Sequence, residues 1–157
     1  MLVRWGDCDP AGIAFYPRFF EWMDTAAHAL AREMGISRAD MLPPTLLGLP
    51  LVSARAEFLA PALMEDTLEV RAWVTRVGRA SLGLRHEIVR IGANGEQILA
   101  RGREERVHVS RDATGTMRPR ELTPEMRSVL ARYLDRGDGD PGRGDGATRG
   151  RGEGLTG

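Results

Sequence analysis

"WGDCDPAGIAFYPRFFEWMD", residues 5–24, sets two aspartates, a proline and a glycine directly ahead of a long apolar segment. Proline is tolerated in the first helical turn, so a helix is predicted to start near Pro17. From there Phe19, Met23, Ala26, Ala27, Leu30 and Met34 recur at helical spacing. Phe20 and Trp22 lie off that stripe, which leaves the helix apolar over much of its circumference and predicts burial on more than one side. Gly35 is a natural stop. Roughly 17 residues at about 1.5 Å rise make a rod of about 25 Å.

Strands surround this helix in the chain. "MLVRW" at the start is short and apolar, a predicted strand. It opens at Met1 with no lead-in, which leaves open a natural start a few residues upstream. Ser37 is placed to cap one further turn, and Pro43 and Pro44 force a loop. Four strand-like stretches follow. Their predicted inward faces are Val52, Ala54, Ala56, Phe58 and Ala60; then Leu68, Val70, Ala72 and Val74; then Leu82, Leu84, His86 and Ile88. The fourth, "EQILARGREERVHVS", alternates poorly. Alternation of period two implies half-buried antiparallel strands, and Asn94-Gly95 predicts a hairpin. Thr123 and Pro124 open a predicted last helix, "PEMRSVLARYLD". The fold class is therefore α+β, one long helix laid across an antiparallel sheet. The domain is read as residues 1–136. Residues 137–157, mostly Gly, Arg and Asp, hold too little apolar surface to offset their ordering entropy and are predicted disordered.

Charge narrows the function. Lys plus Arg and Asp plus Glu are each 22 of 157 residues. That balance argues against a nucleic-acid or anionic-membrane partner, including for the Arg/Gly tail. The single cysteine, Cys8, allows no internal disulfide and suits a reducing compartment. With no signal-peptide pattern and no apolar run of membrane length, a cytoplasmic protein is expected.

Asp9 precedes Pro10, which biases it towards extended backbone, and Gly12 lets the loop approach a ligand closely. A carboxylate near a buried helix N-terminus can act as nucleophile or general base. The unpaired amides there suit a developing oxyanion. The competing reading is that Asp7 and Asp9 only cap a turn or the helix. As a metal pattern, D-x-D lacks a third acid at useful spacing, so no metal is expected. Cys8 has no activating His nearby in sequence and reads as a small filler. His28, His86 and His108 have no metal-ligand spacing and read as satisfied core or surface residues. Asp24 is the outlier: an acid inside the most apolar stretch, on the surface or aimed into a pocket. Arg76 and Arg79 sit at a strand junction where they are solvated or meet a phosphate.

From Val3 to Ala27, without a gap, the chain resembles the hotdog-fold 4-hydroxybenzoyl-CoA thioesterase family, and more loosely so to about Ser110. The resemblance implies a helix wrapped by an antiparallel sheet. It also implies homodimers that pair sheets edge to edge, with active sites at the dimer interface, and dimers that often pair into tetramers. It puts Asp9 on the catalytic carboxylate, and Tyr16 on the position whose backbone N–H polarises the thioester carbonyl. Asp24 falls on the acid that meets the substrate's phenolic hydroxyl. The basic cluster for the CoA phosphates falls on "GRAS", where only Arg79 is basic and Gly78 and Ala80 depart. Pro17 stands where the Tol–Pal-associated thioesterases carry His, which points away from that subgroup. The implied function is hydrolysis of an acyl-CoA, 4-hydroxybenzoyl-CoA or a related aryl-CoA, with no cofactor and no metal. Rival readings are a broad or short-chain aliphatic thioesterase, a non-hydrolytic acyl-CoA-binding protein, and a dehydratase. The dehydratase would need a His beside the acid.

Overall fold

The computed structural model describes residues 1–36, 46–93 and 95–135. The helix α1 runs Pro17–Glu33, with Pro17 in its first turn. Gly35, at φ 74, takes the left-handed conformation that ends it. It buries Phe19, Trp22, Met23, Ala26, Ala27 and Leu30; the large side chains Phe19, Met23 and Leu30 each stabilise the fold by about 2 kcal/mol, the alanine methyls by less than about 1 kcal/mol. Trp22, off the main stripe, is among them, so burial does extend around the helix.

The main sheet is antiparallel, in the order β2 (Leu51–Phe58), β5 (Gly95–Val107), β4 (Ser81–Gly92), β3 (Leu68–Val77). The β4–β5 hairpin pairs from Ser81↔Val107 to Gly92↔Gly95; Asn94, half of its predicted turn, lies outside the described residues. Leu68, Val70, Ala72, Val74, Leu82, Leu84 and Ile88 are buried and join α1 in one core, as their alternation predicts. At the centre of the contact Met23 lies on Gly102, where no Cβ intervenes. A smaller sheet orders β1 (Leu46–Gly48), β6 (Val109–Arg111) and β7 (Met117–Pro119). Helix α2 (Pro124–Arg132) is capped by Thr123, whose hydroxyl accepts from Met126 N at 3.2 Å. Among the described residues no helix is long and apolar enough to cross a membrane.

Several expectations are corrected. "MLVRW" forms no strand: Leu2 makes an isolated bridge to Thr67 and a 3-10 turn covers Trp5–Asp7. The fourth stretch divides into β5 and β6. Along β2 the predicted inward face is poorly covered, with Val52 60% and Phe58 48% exposed. That strand lies at the sheet edge. His86 is fully buried with Nδ1 unpartnered among the described residues, and its Nε2 meets only Glu104, at 3.5 Å, so it is not a fully satisfied core histidine. The predicted turn after Ser37, the Pro43-Pro44 loop and residues 136–157 lie outside the described residues.

Candidate active site

The loop before α1 separates the two acids by role. Asp7 is structural: its Oδ2 accepts from Arg4 N at 2.8 Å, and its Oδ1 lies 3.5 Å from Arg18 Nε. Asp9 heads a tight turn. Its O accepts from Gly12 N at 2.9 Å, and its N donates to Ile13 O at 2.9 Å. Its Oδ1 accepts from Ala11 N at 2.8 Å, while Oδ2 makes no hydrogen bond among the described residues. Gly12 has φ 77 and open space where a Cβ would stand. Its conformation, not a close approach within the chain, is what asks for glycine there. The turn is tied down by Ala14 N donating to Ala62 O at 2.8 Å and Phe15 N to Asp7 O at 2.8 Å.

Two residues further on, Tyr16 is the N-cap of α1 and Pro17 contributes no N–H. Arg18 N and Phe19 N turn back onto Phe15 O and Tyr16 O. That leaves Tyr16 N–H as an amide with no acceptor among the described residues, at the positive end of the helix dipole. Asp9, Gly12 and Tyr16 thus share one short loop. A carboxylate with a free oxygen and an unpaired amide are the two groups that acyl transfer needs.

Asp24 lies elsewhere. Eight positions along α1 from Tyr16 puts it about 12 Å away along the axis. It lines a cleft of about 270 Å³ with Ala27, Leu30, Met34, Leu49, Leu82 and Leu84 as apolar walls and His28 and Arg106 as polar companions. Neither Asp9 nor Tyr16 is among its lining residues. Arg106 Nη2 donates to Asp24 Oδ1 at 2.6 Å, and His28 Nδ1 is 3.3 Å from Asp24 Oδ2. Behind Arg106 stands Glu104, almost fully buried, accepting from Arg106 Nε at 2.9 Å. His86 Nε2 lies 3.5 Å beyond, against the same Glu104 oxygen. Burial pushes the Glu104 carboxyl up, but His86 and Arg106 outweigh it and hold the group below the usual range. Burial likewise works against the Arg106 cation, and Asp24 and Glu104 overcome it and raise its pKa.

Arg79 is not among the residues that line the cleft. It sits in the β3–β4 turn, 80% exposed at the side chain and paired with Glu121 at 3.0 Å. Arg76 pairs with Glu105 and Ser81. Sequence reasoning missed Arg106 and Glu104. Their signal was the failed alternation of the fourth stretch: Glu104 and Arg106 pair with Leu84 and Leu82 and so share the core-facing side of the sheet.

Known proteins share this arrangement of chain. The Thioesterase superfamily matches residues 11–94. The 4-hydroxybenzoyl-CoA thioesterase of Pseudomonas sp. (strain CBS-3) is 31% identical over 113 residues, 70% of this chain and 80% of that protein. The 1,4-dihydroxy-2-naphthoyl-CoA hydrolase of Prochlorococcus marinus (strain NATL1A) is 26% identical over 103 residues, 61% of this chain and 67% of that protein. A crystal structure of a substituted 4-hydroxybenzoyl CoA thioesterase complexed with 4-hydroxybenzoyl CoA superposes with a TM-score of 0.76 at 28% identity, covering 83% of this chain and 94% of the other. With its helix packed on an antiparallel sheet and its family match spanning more than half its length, this chain belongs to the hotdog-fold thioesterase superfamily.

Proposed function

We propose that this thioesterase hydrolyses the CoA thioester of a hydroxylated aromatic acid, water and thioester giving the free acid and CoA. The observation that carries the reading is one short loop that bears both Asp9, with a carboxylate oxygen left free among the described residues, and the unpaired Tyr16 N–H at the N-terminus of α1. Asp9 attacks the thioester carbonyl or activates the water that does. The Tyr16 amide stabilises the oxyanion that forms. Thiolate departure then breaks the C–S bond; on the nucleophilic route the acyl group is left as a mixed anhydride on Asp9, which water cleaves to the free acid and the Asp9 carboxylate, and on either route the proton water gives up ends on the CoA thiol. The ring hydroxyl belongs in the cleft at Asp24, and Arg79 is the candidate for the CoA phosphates. Named relatives that act on hydroxybenzoyl and dihydroxynaphthoyl thioesters support the aromatic, hydroxylated class. In this reading Asp9 and the Tyr16 amide carry the hydrolysis with water as the only co-reactant, and no metal or cofactor is assigned a role.

Release of free thiol from a panel of aryl- and alkyl-CoA esters tests the reading. Asp9→Asn keeps the shape of the side chain and removes its charge, so turnover should fall by several orders of magnitude while ester binding survives. Residual activity above about a tenth of wild type would remove Asp9 from the reaction. Preference for short aliphatic esters over all aryl esters would remove the aromatic class.

A further inference from the structure

Asp24 and Arg106 touch on one wall of the cleft, an acceptor beside a donor. Arg106 Nη2 occupies one oxygen of the Asp24 carboxylate, and His28 Nδ1 stands 3.3 Å from the other. A carboxylate offers roughly four lone-pair positions, and the Asp24 side chain is 48% exposed. It therefore keeps acceptor capacity towards the cleft. The guanidinium has five N–H groups. Nε and Nη2 are committed to Glu104 and Asp24. Nη1 holds a single contact of 3.5 Å to Leu49 O, at the outer limit of a hydrogen bond. Leu49 itself lines the cleft, so this under-used donor lies against the wall that a ligand would face.

A hydroxyl fits such a pair with both of its functions. Its O–H donates to Asp24 while its lone pair accepts from Arg106 Nη1. An aromatic amine donates, but its nitrogen lone pair is delocalised into the ring and accepts poorly. A methoxy group accepts and cannot donate. We propose that Arg106 is a specificity-determining residue of the cleft, reading the acceptor side of the acyl group's ring hydroxyl while Asp24 reads the donor side. Glu104 is the positioning residue that fixes the guanidinium from behind. The inference rests on the aryl-CoA reading above.

The test is kcat/KM for 4-hydroxybenzoyl-, 4-aminobenzoyl-, 4-methoxybenzoyl- and benzoyl-CoA. In the wild type the hydroxy ester should exceed the amino ester by about tenfold to a hundredfold, the range of a hydrogen bond to a charged group. The methoxy and plain esters should fall lower still. The pair Arg106→Met with Glu104→Gln leaves no buried charge unpaired. In that variant the hydroxy-to-amino ratio should shrink to within about threefold, while both esters still exceed benzoyl-CoA through Asp24. A wild-type ratio near one overturns the proposal, and does so even if the double variant fails to fold. So does a double variant that keeps the ratio, or one that loses all four activities by the same factor, which is the signature of a purely structural Arg106. No thiol release from any of the four by the wild type removes the aryl-CoA reading and this inference together. Turnover of the aryl esters without discrimination between hydroxyl and amine removes only the inference.

Discussion

Substituting Gly102 by alanine puts a methyl group where α1 rests on the sheet. The added Cβ would lie 2.0 Å from Met23 Sδ, 3.2 Å from Met23 Cε and 3.4 Å from His86 Cβ. Contact distances between such atoms are about 3.5–4.0 Å, so the sulfur has to move by roughly 1.5 Å or more. Met23 is fully buried, and a shift of its side chain displaces neighbours or lifts the helix. Overpacking of this kind costs about 1–3 kcal/mol, which for a domain of this size lowers Tm by about 4–12 °C. Met23→Ala alone opens a cavity and costs about 2–5 kcal/mol. Combined, the two changes compensate, because the new methyl occupies space that the sulfur left. The double variant should be more stable than the sum of the singles by at least about 1 kcal/mol. Thermal and denaturant unfolding of the four proteins measures this directly. Additivity within about 0.5 kcal/mol would refute the seating of Met23 on Gly102, and with it the placement of the adjacent Asp24 against Arg106.

Acid should expose the buried charges. Glu104 is held below its ordinary value, so its contribution is present above about pH 4.5 and is lost as the pH falls through the folded value. The stability difference between wild type and Glu104→Gln should therefore narrow from about pH 5 downwards; a difference that stays constant into that range would show that the pairing with His86 and Arg106 does not operate. The protein should also be at least a dimer, because among the described residues no strand pairs with the outer side of β2, and Val52 and Phe58 are exposed along it. An active monomer at micromolar concentration in light scattering would remove that expectation.

Helix α1 was legible because three independent signals agree on it: the apolar recurrence from Phe19 to Met34, Pro17 at its start and Gly35 at its end. The inward faces of β3 and β4 were legible for the same reason, since their alternation runs long enough to reveal period two. The strands β1, β6 and β7, three residues each, are too short to show any period. "MLVRW" misled because an apolar run records burial without recording how far pairing extends: Val3 is fully buried, and Met1 and Val3 exchange backbone hydrogen bonds with Glu65, Asp66 and Leu68, but the pairing stops at the 3-10 turn before a strand is formed. At the site, Asp9, Gly12 and Tyr16 were readable because they are neighbours in the chain. The partner of Asp24 was not, because Arg106 lies 82 positions away and meets it only after the β4–β5 hairpin has carried it under α1. The poor alternation of "REER" was the trace of that meeting. Charged residues sit on a core-facing side only where partners compensate them, and sequence shows the anomaly without naming the partner.

The two halves of the proposed site stand apart in one chain. The Asp9 loop opens at the N-terminus of α1, whereas the Asp24 cleft lies two turns along the same helix and is lined by neither Asp9 nor Tyr16. A single aromatic acyl group that meets both acids has to bridge that separation within one chain or between two. Two-fold pairing through an exposed edge offers the second route, because an isologous interface repeats every contact and completes two sites at once. Exposed apolar side chains are available to such pairing: Val52 and Phe58 on β2, and Phe15 and Tyr16 in the loop that carries the unpaired amide. On this reading the apolar surface left on β2 and the incompleteness of the site have one cause. A variant that breaks the dimer should then lose turnover in proportion to the fraction of monomer, even with Asp9, Tyr16, Asp24 and Arg106 unchanged.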